Sequence, residues 1–388
     1  AGGGAALAAA RLHRAQRALG IASKMLVLRR LTGDPDVIRA GTGARASYAL
    51  SWRLESWLLR FATNGHALER SLNLLPGAVH RQINASDADI VHLHGLHGIL
   101  SIAEIAKIKK PLVWTLHDMW AFAGAENYAV EGDERWMHGY TRGSVDGWTW
   151  HRKRARWRDL DLALVAPSRW MAERCRESAL FRRHPVQVIP NTIDPGEYMP
   201  REMAAARRRW NLPLDRRIVL FGAHDVALHR KGFDLLARAL ESLAAAMPRD
   251  SVELVVFSRT APPAVTAIPV RTLGWIDRAV DQLYSAADVL VAPSRMDNLA
   301  NIVVEATACG LPAVAFDVGG MPDLIDHRRT GYLAAPYGAD DLATGIDWVL
   351  AQSAPALRSL VAERARMFSP VAVVSAHQQV YEAALARP

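Results

Sequence analysis

The chain has 388 residues, half of them hydrophobic, and 47 Lys+Arg against 39 Asp+Glu give it a formal charge of +8. At about 100–200 residues per domain this length suggests two domains, and the composition is that of a globular chain, which excludes disorder. Two cysteines, Cys175 and Cys309, are too few for a disulfide framework or a zinc cluster and point to a reducing compartment, while no run approaches the roughly 20 apolar residues that span a bilayer.

The opening Ala1-Gly2-Gly3-Gly4 has no initiator Met and no charged-then-apolar signal pattern, and reads as a chain lacking its first few residues. Next comes a helical pattern over Ala6–Leu19, then strand candidates at Lys24–Leu28, Ile90–His94, Leu112–His117, Leu162–Ala166 and Val186–Pro190. The stretch Asn191–Pro200 (NTIDPGEYMP) reads as an interdomain linker. A second series follows, with strands at Ile218–Gly222, Val252–Phe257, Val270–Leu273, Val289–Ala292 and Ala313–Phe316 and helices at Phe233–Ala246 and Asn301–Cys309. Apolar runs that alternate with amphipathic ones argue for an α/β chain of two doubly wound, Rossmann-like parallel-sheet domains facing across a cleft. The expected boundaries are 1–194, with its first strand missing, and 195–370, with a last helix (371–388) packing back on the N-terminal domain.

Open α/β sheets bind ligands beyond the carboxyl ends of their strands. His117-Asp118, Pro167-Ser168, Gly222-Ala223, Pro293-Ser294 and Asp317–Gly320 all occupy such positions. The most informative stretch is 292–333, APSRMDNLANIVVEATACGLPAVAFDVGGMPDLIDHRRTGYL. A strand ends at Pro293-Ser294, a loop carries Asp297, and a helix starting near Ala300 carries Glu305. The free N–H groups of a helix N-terminus suit a diphosphate. Asp297 and Glu305 could accept hydrogen bonds from hydroxyls on either side of it, one from a sugar and one from a ribose. Spacing alone is equally compatible with an ordinary βαβ unit bearing surface carboxylates.

This stretch resembles the C-terminal signature of the family 4 glycosyltransferases, retaining enzymes of the GT-B fold. The shared elements are the Pro-Ser, an acidic pair separated by seven residues, the Ala-x-Ala-Cys-Gly-x-Pro run and a Gly-Gly before Gly-Tyr-Leu. The first acid is usually Glu and is Asp297 in this chain; Asp-Asn-Leu at this place is similar to the bacterial exopolysaccharide, colanic-acid-type branch. A lone Lys-Gly is usually a solvated surface lysine, but Lys231 matches the family lysine that neutralises the leaving diphosphate. The family's arginine after the glycine-rich strand end has no match, since Ala223-His224-Asp225 follows Gly222, and Arg230 is the candidate to share its charge. In the first half, Thr115-Leu-His117-Asp118-Met-Trp120 is similar to the family motif whose His sits beside the donor sugar. Without that context, His117-Asp118 reads equally as a general base pair or as a buried histidine satisfied by a carboxylate. Gly3 and Gly4, leading into a helix, resemble the family's glycine loop. Cysteines that the branch often carries after its His-Asp-x-Trp are replaced by Ala125-Glu126-Asn127-Tyr128, which excludes a metal or redox role for that loop.

Other patterns have local readings. His92, His94 and His97 (HLHGLH) place two rings on one strand face, with a cleft or packing role favoured over metal binding. Asp87-Ala-Asp89 and Asp34-Pro-Asp36 read as turn residues. Residues 135–183 hold 12 Lys/Arg against 5 Asp/Glu, and seven of the 12 tryptophans lie between Trp114 and Trp170. Indoles and cations together suit a membrane interface with anionic lipid, or equally a helix whose tryptophans pack inward. Nucleic acid is disfavoured, because no binding-module signature accompanies the charge.

The resemblance implies a metal-independent, retaining transferase that moves a sugar from a nucleoside-diphosphate sugar, UDP- or GDP-linked foremost, to a glycan or polyprenyl-linked acceptor. Its expected setting is exopolysaccharide or lipopolysaccharide assembly in the cytoplasm, at the inner face of the plasma membrane. Glu305 is expected to hold the ribose, and Gly274-Trp275 the base. Lys231, Arg230 and the backbone N–H groups of Asn298, Leu299, Ala300 and Asn301 would take the diphosphate. Asp297 and His117 would position the sugar, and Gly3-Gly4 and His94 lie on the acceptor side. The alternatives are a sugar-nucleotide epimerase of the same fold and a pseudo-transferase that binds nucleotide without catalysis.

Overall fold

The computed structural model describes residues 3–60, 69–130, 132–248, 251–265, 267–352 and 354–387. Ala1 and Gly2 lie outside the described residues, and with Gly2 the start of the Gly2-Gly3-Gly4-Ala5-Ala6 run that resembles the family's glycine loop. The chain forms two compact units, Ala1–Pro190 with Val374–Pro388, and Asn191–Val373.

In the first unit, β1 (Met25–Val27) and β2 (Val37–Arg39) form a separate parallel pair. A four-stranded, all-parallel sheet follows in the order β3 (Val91–Leu93), β4 (Leu112–Thr115), β5 (Leu162–Ala166) and β6 (Val186–Val188). Every residue of β4 and β5 is buried, as expected for parallel strands covered on both faces. The helix Gly3–Ala18 precedes β1 and buries Ala8, Leu12 and Ala15 on one face. The final helix, Pro370–Leu385, reaches this unit through Tyr381, whose hydroxyl accepts a hydrogen bond from Gln16 at 2.7 Å and contacts His92 Nδ1 at 2.8 Å. β2 has no counterpart in the sequence-based reading, since three residues of which two are exposed leave no periodic signal.

The second unit contains β7 (Arg217–Ala223), β8 (Val252–Ser258), β9 (Val270–Thr272), β10 (Val289–Ala292), β11 (Ala313–Phe316) and β12 (Gly331–Ala334). They form one parallel sheet in the order β12-β11-β10-β7-β8-β9. The chain winds outward from β7 through β8 to β9, returns to β10, and winds outward the other way. The topological switch point therefore lies between β7 and β10, where such sheets open a crevice at their carboxyl ends. Helix Phe233–Ala246 covers one face through Phe233, Leu236, Leu240 and Leu243, a spacing that places all four on one stripe. The stretch expected as a linker belongs to this unit: Thr192 Oγ1 and Ile193 N–H both donate to the Phe368 carbonyl, at 3.1 and 3.0 Å.

The tryptophan-rich segment is mostly interior. Trp114, Trp120, Trp136, Trp150 and Trp157 are all buried in the core of the first unit, Trp170 packs against it, and Trp148 alone of the seven is exposed. Burial corrects the interfacial reading for the indoles, because a ring inside the core cannot meet lipid. Helix Val145–Trp157 carries this arrangement, and its Lys153 is completely buried. The Lys153 ammonium donates to the carbonyls of Trp120, Gly124 (2.6 Å) and Ala123 (3.2 Å) and lies 3.9 Å from the centre of the Trp120 ring. Desolvation holds its pKa well below the ordinary lysine value. Lys153 thus pins the loop that follows Asp118 from within. Lys153→Met leaves those carbonyls unpaired and is expected to lower the unfolding free energy by about 2–4 kcal/mol, measured by urea denaturation.

Candidate active site

Three loops at the carboxyl edge of the second sheet converge on Asp297. After β7, the turn His229–Lys231 ends at Gly232, whose φ is +69°. A Cβ there would stand 1.9 Å from the Pro293 carbonyl oxygen, so only glycine lets this turn approach the end of β10. Arg295 N–H donates to Arg230 O at 2.8 Å, and the Arg295 guanidinium grips Asp234 at 2.8 and 2.6 Å. After β11, Gly319 has φ +58°, and a Cβ on it would fall 2.1 Å from the Asp297 carbonyl oxygen. Gly320 N–H donates to that same oxygen at 3.0 Å.

The Asp297 carboxylate accepts Lys231 Nζ at 2.7 Å, with an Arg230 guanidinium nitrogen 3.6 Å away. Arg230 also donates to the Met296 carbonyl at 3.2 Å. Burial acts to raise the Asp297 pKa, but the charges of Lys231 and Arg230, the Lys231 hydrogen bond and the Asn298 N–H outweigh it and hold the carboxyl below its ordinary value. Arg230 and Lys231 therefore come together as a pair of cations at the Asp297 carboxylate.

Helix Asn301–Ala308 starts beside this group, with Ala300 at its N-cap and no side-chain cap. Asn298, Leu299 and Ala300 are buried, and Asn191 Nδ2 donates to Asn301 Oδ1 at 3.0 Å. Glu305, on the same helix, is buried and accepts the Tyr284 hydroxyl at 2.7 Å. Desolvation and the Glu305 charge hold the Tyr284 pKa well above the usual tyrosine value, so the phenol remains a donor. Gly222, at the end of β7, faces sideways: a Cβ there would lie 2.1 Å from the Phe257 ring, and its smallness serves sheet packing. After β9, Gly274 (φ +71°) accepts Ser258 N–H at 3.0 Å and leads to the exposed Trp275. The Arg259 guanidinium lies 5.0 Å from the Trp275 ring centre and His224 meets it edge-on at 5.2 Å, giving an aromatic and cationic platform.

The first unit carries a separate cluster at the carboxyl ends of β3 and β4. His94 Nδ1 and His117 Nε2 are hydrogen-bonded at 3.0 Å, and the His92 and His94 ring centres are 4.1 Å apart. His92 continues the chain to Tyr381 and, through Nε2, to the Thr115 hydroxyl at 2.7 Å. His377 of the last helix lies 5.4 Å from His92. The His117–Asp118 pair expected from sequence is not the bonded one: Asp118 accepts Trp120 N–H at 3.0 Å and contacts His97 Nε2 at 3.2 Å. Adjacent residues in extended backbone point to opposite sides, which separates their partners. Burial drives the His117 pKa down to about 4 against the opposing pull of Asp118, and it lowers His92 and His94 well below the histidine value. Gly3 and Gly4 open the helix Gly3–Ala18.

Sequence reasoning located Lys231, Arg230, Asp297, Glu305 and the helix they surround. Tyr284 and Arg259 were not singled out, and Gly232, Gly319 and His224 figured only as parts of motifs; their contacts come from elements distant in the chain. The glycines alone had a local signal, in Lys231-Gly232 and Gly319-Gly320.

Two Rossmann-like units, one with a cation pair and a helix N-terminus at its switch point, define the GT-B class of folds. Residues 2–197 match the family model described as Glycosyltransferase Family 4, and residues 215–352 match that described as Glycosyl transferases group 1. The chain belongs to glycosyltransferase family 4. Among curated relatives, a D-inositol 3-phosphate glycosyltransferase of Mycobacteroides abscessus is 29% identical over 200 residues, which are 47% of this chain and 43% of that protein. The chain thus matches less than half the length of that relative. Sucrose-phosphate synthase from Thermosynechococcus elongatus superposes with a TM-score of 0.67 at 21% identity, covering 99% of this chain and 94% of that one. The Anabaena protein HepE, in complex with UDP and glucose, gives a TM-score of 0.63 at 16% identity, covering 93% and 100%.

The histidine cluster sets a pH dependence. His117 has a folded pKa near 4, below the ordinary value of about 6.5. Between these values the unfolded chain binds more protons, so the contribution of His117 to stability is complete above about pH 6.5 and declines as pH falls towards 4. His117→Gln should flatten that decline in urea midpoints measured from pH 7 to 4, and the wild-type His117 imidazole resonances should titrate near pH 4.

Proposed function

We propose that this protein is a retaining glycosyltransferase that moves a sugar from a nucleoside-diphosphate sugar to a glycan or polyprenyl-linked acceptor in surface polysaccharide assembly. The observation that carries this reading is the convergence of Lys231, Arg230 and Asp297 at the switch point of the second sheet, beside the helix that bears Glu305. UDP is the favoured nucleotide, a choice supported by the UDP bound to HepE. The exopolysaccharide assignment rests on the resemblance of 292–333 to that branch.

In this reading the diphosphate lies against Lys231, Arg230 and the start of the helix Asn301–Ala308. Lys231 then exchanges part of its contact with Asp297 for a phosphate oxygen. The Glu305 carboxylate, which accepts the Tyr284 hydroxyl, holds the ribose hydroxyls, and Trp275 and Arg259 flank the base. Asp297 and His117 position the donor sugar, with Gly3, Gly4 and His94 on the acceptor side. The C1–O bond to the diphosphate breaks as the acceptor oxygen attacks C1 from the same face. That same-face attack retains the anomeric configuration, and the acceptor proton passes to the departing phosphate oxygen. Preorganised cations stabilise the charge that grows on the leaving group, so the step is read as metal-independent. The protein works in the cytoplasm, with the exposed Arg154 and Arg158 facing the anionic inner surface of the plasma membrane. No helix among the described residues is long and apolar enough to cross that membrane.

Lys231→Ala is expected to lower kcat by about 10²–10³-fold, with a smaller change in melting temperature because Arg230 stays near Asp297. Glu305→Ala should weaken nucleoside-diphosphate binding measured by calorimetry, and an unchanged affinity would remove the ribose assignment. A panel of UDP-, GDP-, ADP- and dTDP-sugars in a thermal-shift assay should single out the UDP donors; stabilisation by another nucleotide alone would overturn that choice.

A further inference from the structure

A recess lined by three arginines lies in the first unit and takes no part in the reaction proposed above. It encloses about 500 Å³ between the helix Val145–Trp157, the turn at Arg142 and the residue Ile102. Arg142, Arg152 and Arg156 line it together with Trp148 and His151. Residues 148, 152 and 156 are spaced by four, so a single helix stripe presents one indole and two guanidinium groups, while Arg142 approaches from the preceding turn. Arg152 is anchored: it donates to the Leu72 carbonyl at 2.9 Å and lies 4.5 Å from the centre of the Trp148 ring.

Among the described residues, no carboxylate lies within 4 Å of any of these three arginines. Glu55 acts on Arg152 only from a distance, and its oxygens accept the N–H groups of Leu72 and Leu74 at 2.9 and 3.1 Å. Burial, and to a lesser degree the neighbouring Arg156 charge, push the Arg152 pKa below its ordinary value. By contrast, Arg70 and Arg135 of the same unit both pair with Asp146. Three like charges around one recess repel each other, and an anion entering it removes that repulsion. Guanidinium forks match the oxygens of a phosphate, and a recess of this size holds a phosphate with a sugar- or glycerol-sized body against the indole and Ile102.

We propose that this recess binds a phosphate-bearing ligand, gripped by Arg142, Arg152 and Arg156 and seated against Trp148. The ligand's source is a phospholipid headgroup or a soluble phosphorylated sugar, which share this chemistry. The site is independent of the nucleotide assignment, since none of its residues belongs to the second unit.

Calorimetric titration of the full chain with sn-glycerol 3-phosphate tests it. Saturable binding should weaken at least tenfold in the double variant Arg142→Ser/Arg156→Ser and fall with added salt, whereas Lys231→Ala should bind as the wild type does. Both substituted arginines are exposed, so the melting temperature of the double variant should match the wild type and separate lost binding from lost folding. Absence of saturable binding, equal affinity in the double variant, or loss in Lys231→Ala alone would overturn the proposal. Co-sedimentation with phosphatidylglycerol vesicles then distinguishes the sources. Pelleting that the double variant loses, and that glycerol phosphate displaces, supports the lipid headgroup. Glycerol phosphate binding without pelleting supports the soluble sugar phosphate.

Discussion

Asp297 is a buried carboxylate, and a buried charge costs several kcal/mol unless another charge and hydrogen bonds satisfy it. Lys231 and Arg230 supply that charge from the turn after β7, while the carboxylate stands on the loop after β10. The Asp297 backbone oxygen takes the Gly320 N–H from the loop after β11, which a side chain at Gly319 would obstruct. Three loops from non-consecutive parts of the chain are therefore fixed to one residue. For the proposed reaction the consequence is electrostatic. The two cations arrive already oriented at the switch point, where the Asp297 carboxylate holds them.

The first unit manages charge in the opposite way, by suppressing it. Its histidines lie ring against ring at the ends of β3 and β4, where burial lowers the pKa of His92, His94 and His117; His94 and His117 hydrogen-bond to each other, and His92 bonds Thr115 and Tyr381. The Tyr381 hydroxyl ties this group to the last helix, so the distant C-terminus supports the residues that follow the N-terminal strands. Lys153 presents the same physics in a cation: its ammonium is desolvated, but carbonyls and an indole face surround it. Lys153 ties the loop after His117 to the helix Val145–Trp157 through the Trp120, Ala123 and Gly124 carbonyls.

Basic residues and tryptophans concentrated in one segment proved to be two different features. The helix Val145–Trp157 has an inner face of Trp150, Lys153 and Trp157 that belongs to the core, and outer residues Arg154 and Arg156 that remain in water. Trp148 is the exception, exposed beside Arg152 at the recess. The charge excess of the segment is thus a surface property, and its tryptophan excess is a packing property.

Sequence alone determined the alternation of strands and helices, because parallel strands buried on both faces read as unbroken apolar runs and a helix such as Phe233–Ala246 reads as a stripe. It also determined the acidic pair at Asp297 and Glu305 and the Lys231-Gly232 turn, since a strand, loop and helix contiguous in the chain place them. Short β2 carried too little apolar sequence to be found, and β12 was visible only as part of a motif. Tertiary structure decided which partners these residues have: Lys231 for Asp297, Tyr284 for Glu305, His94 in place of Asp118 for His117. It also decided that Lys153 lies inside while Arg152 and Arg156 face a recess. Each of these outcomes depends on contacts between residues far apart in the chain, and on burial, which sets the cost of a charge and cannot be read from residue type or spacing.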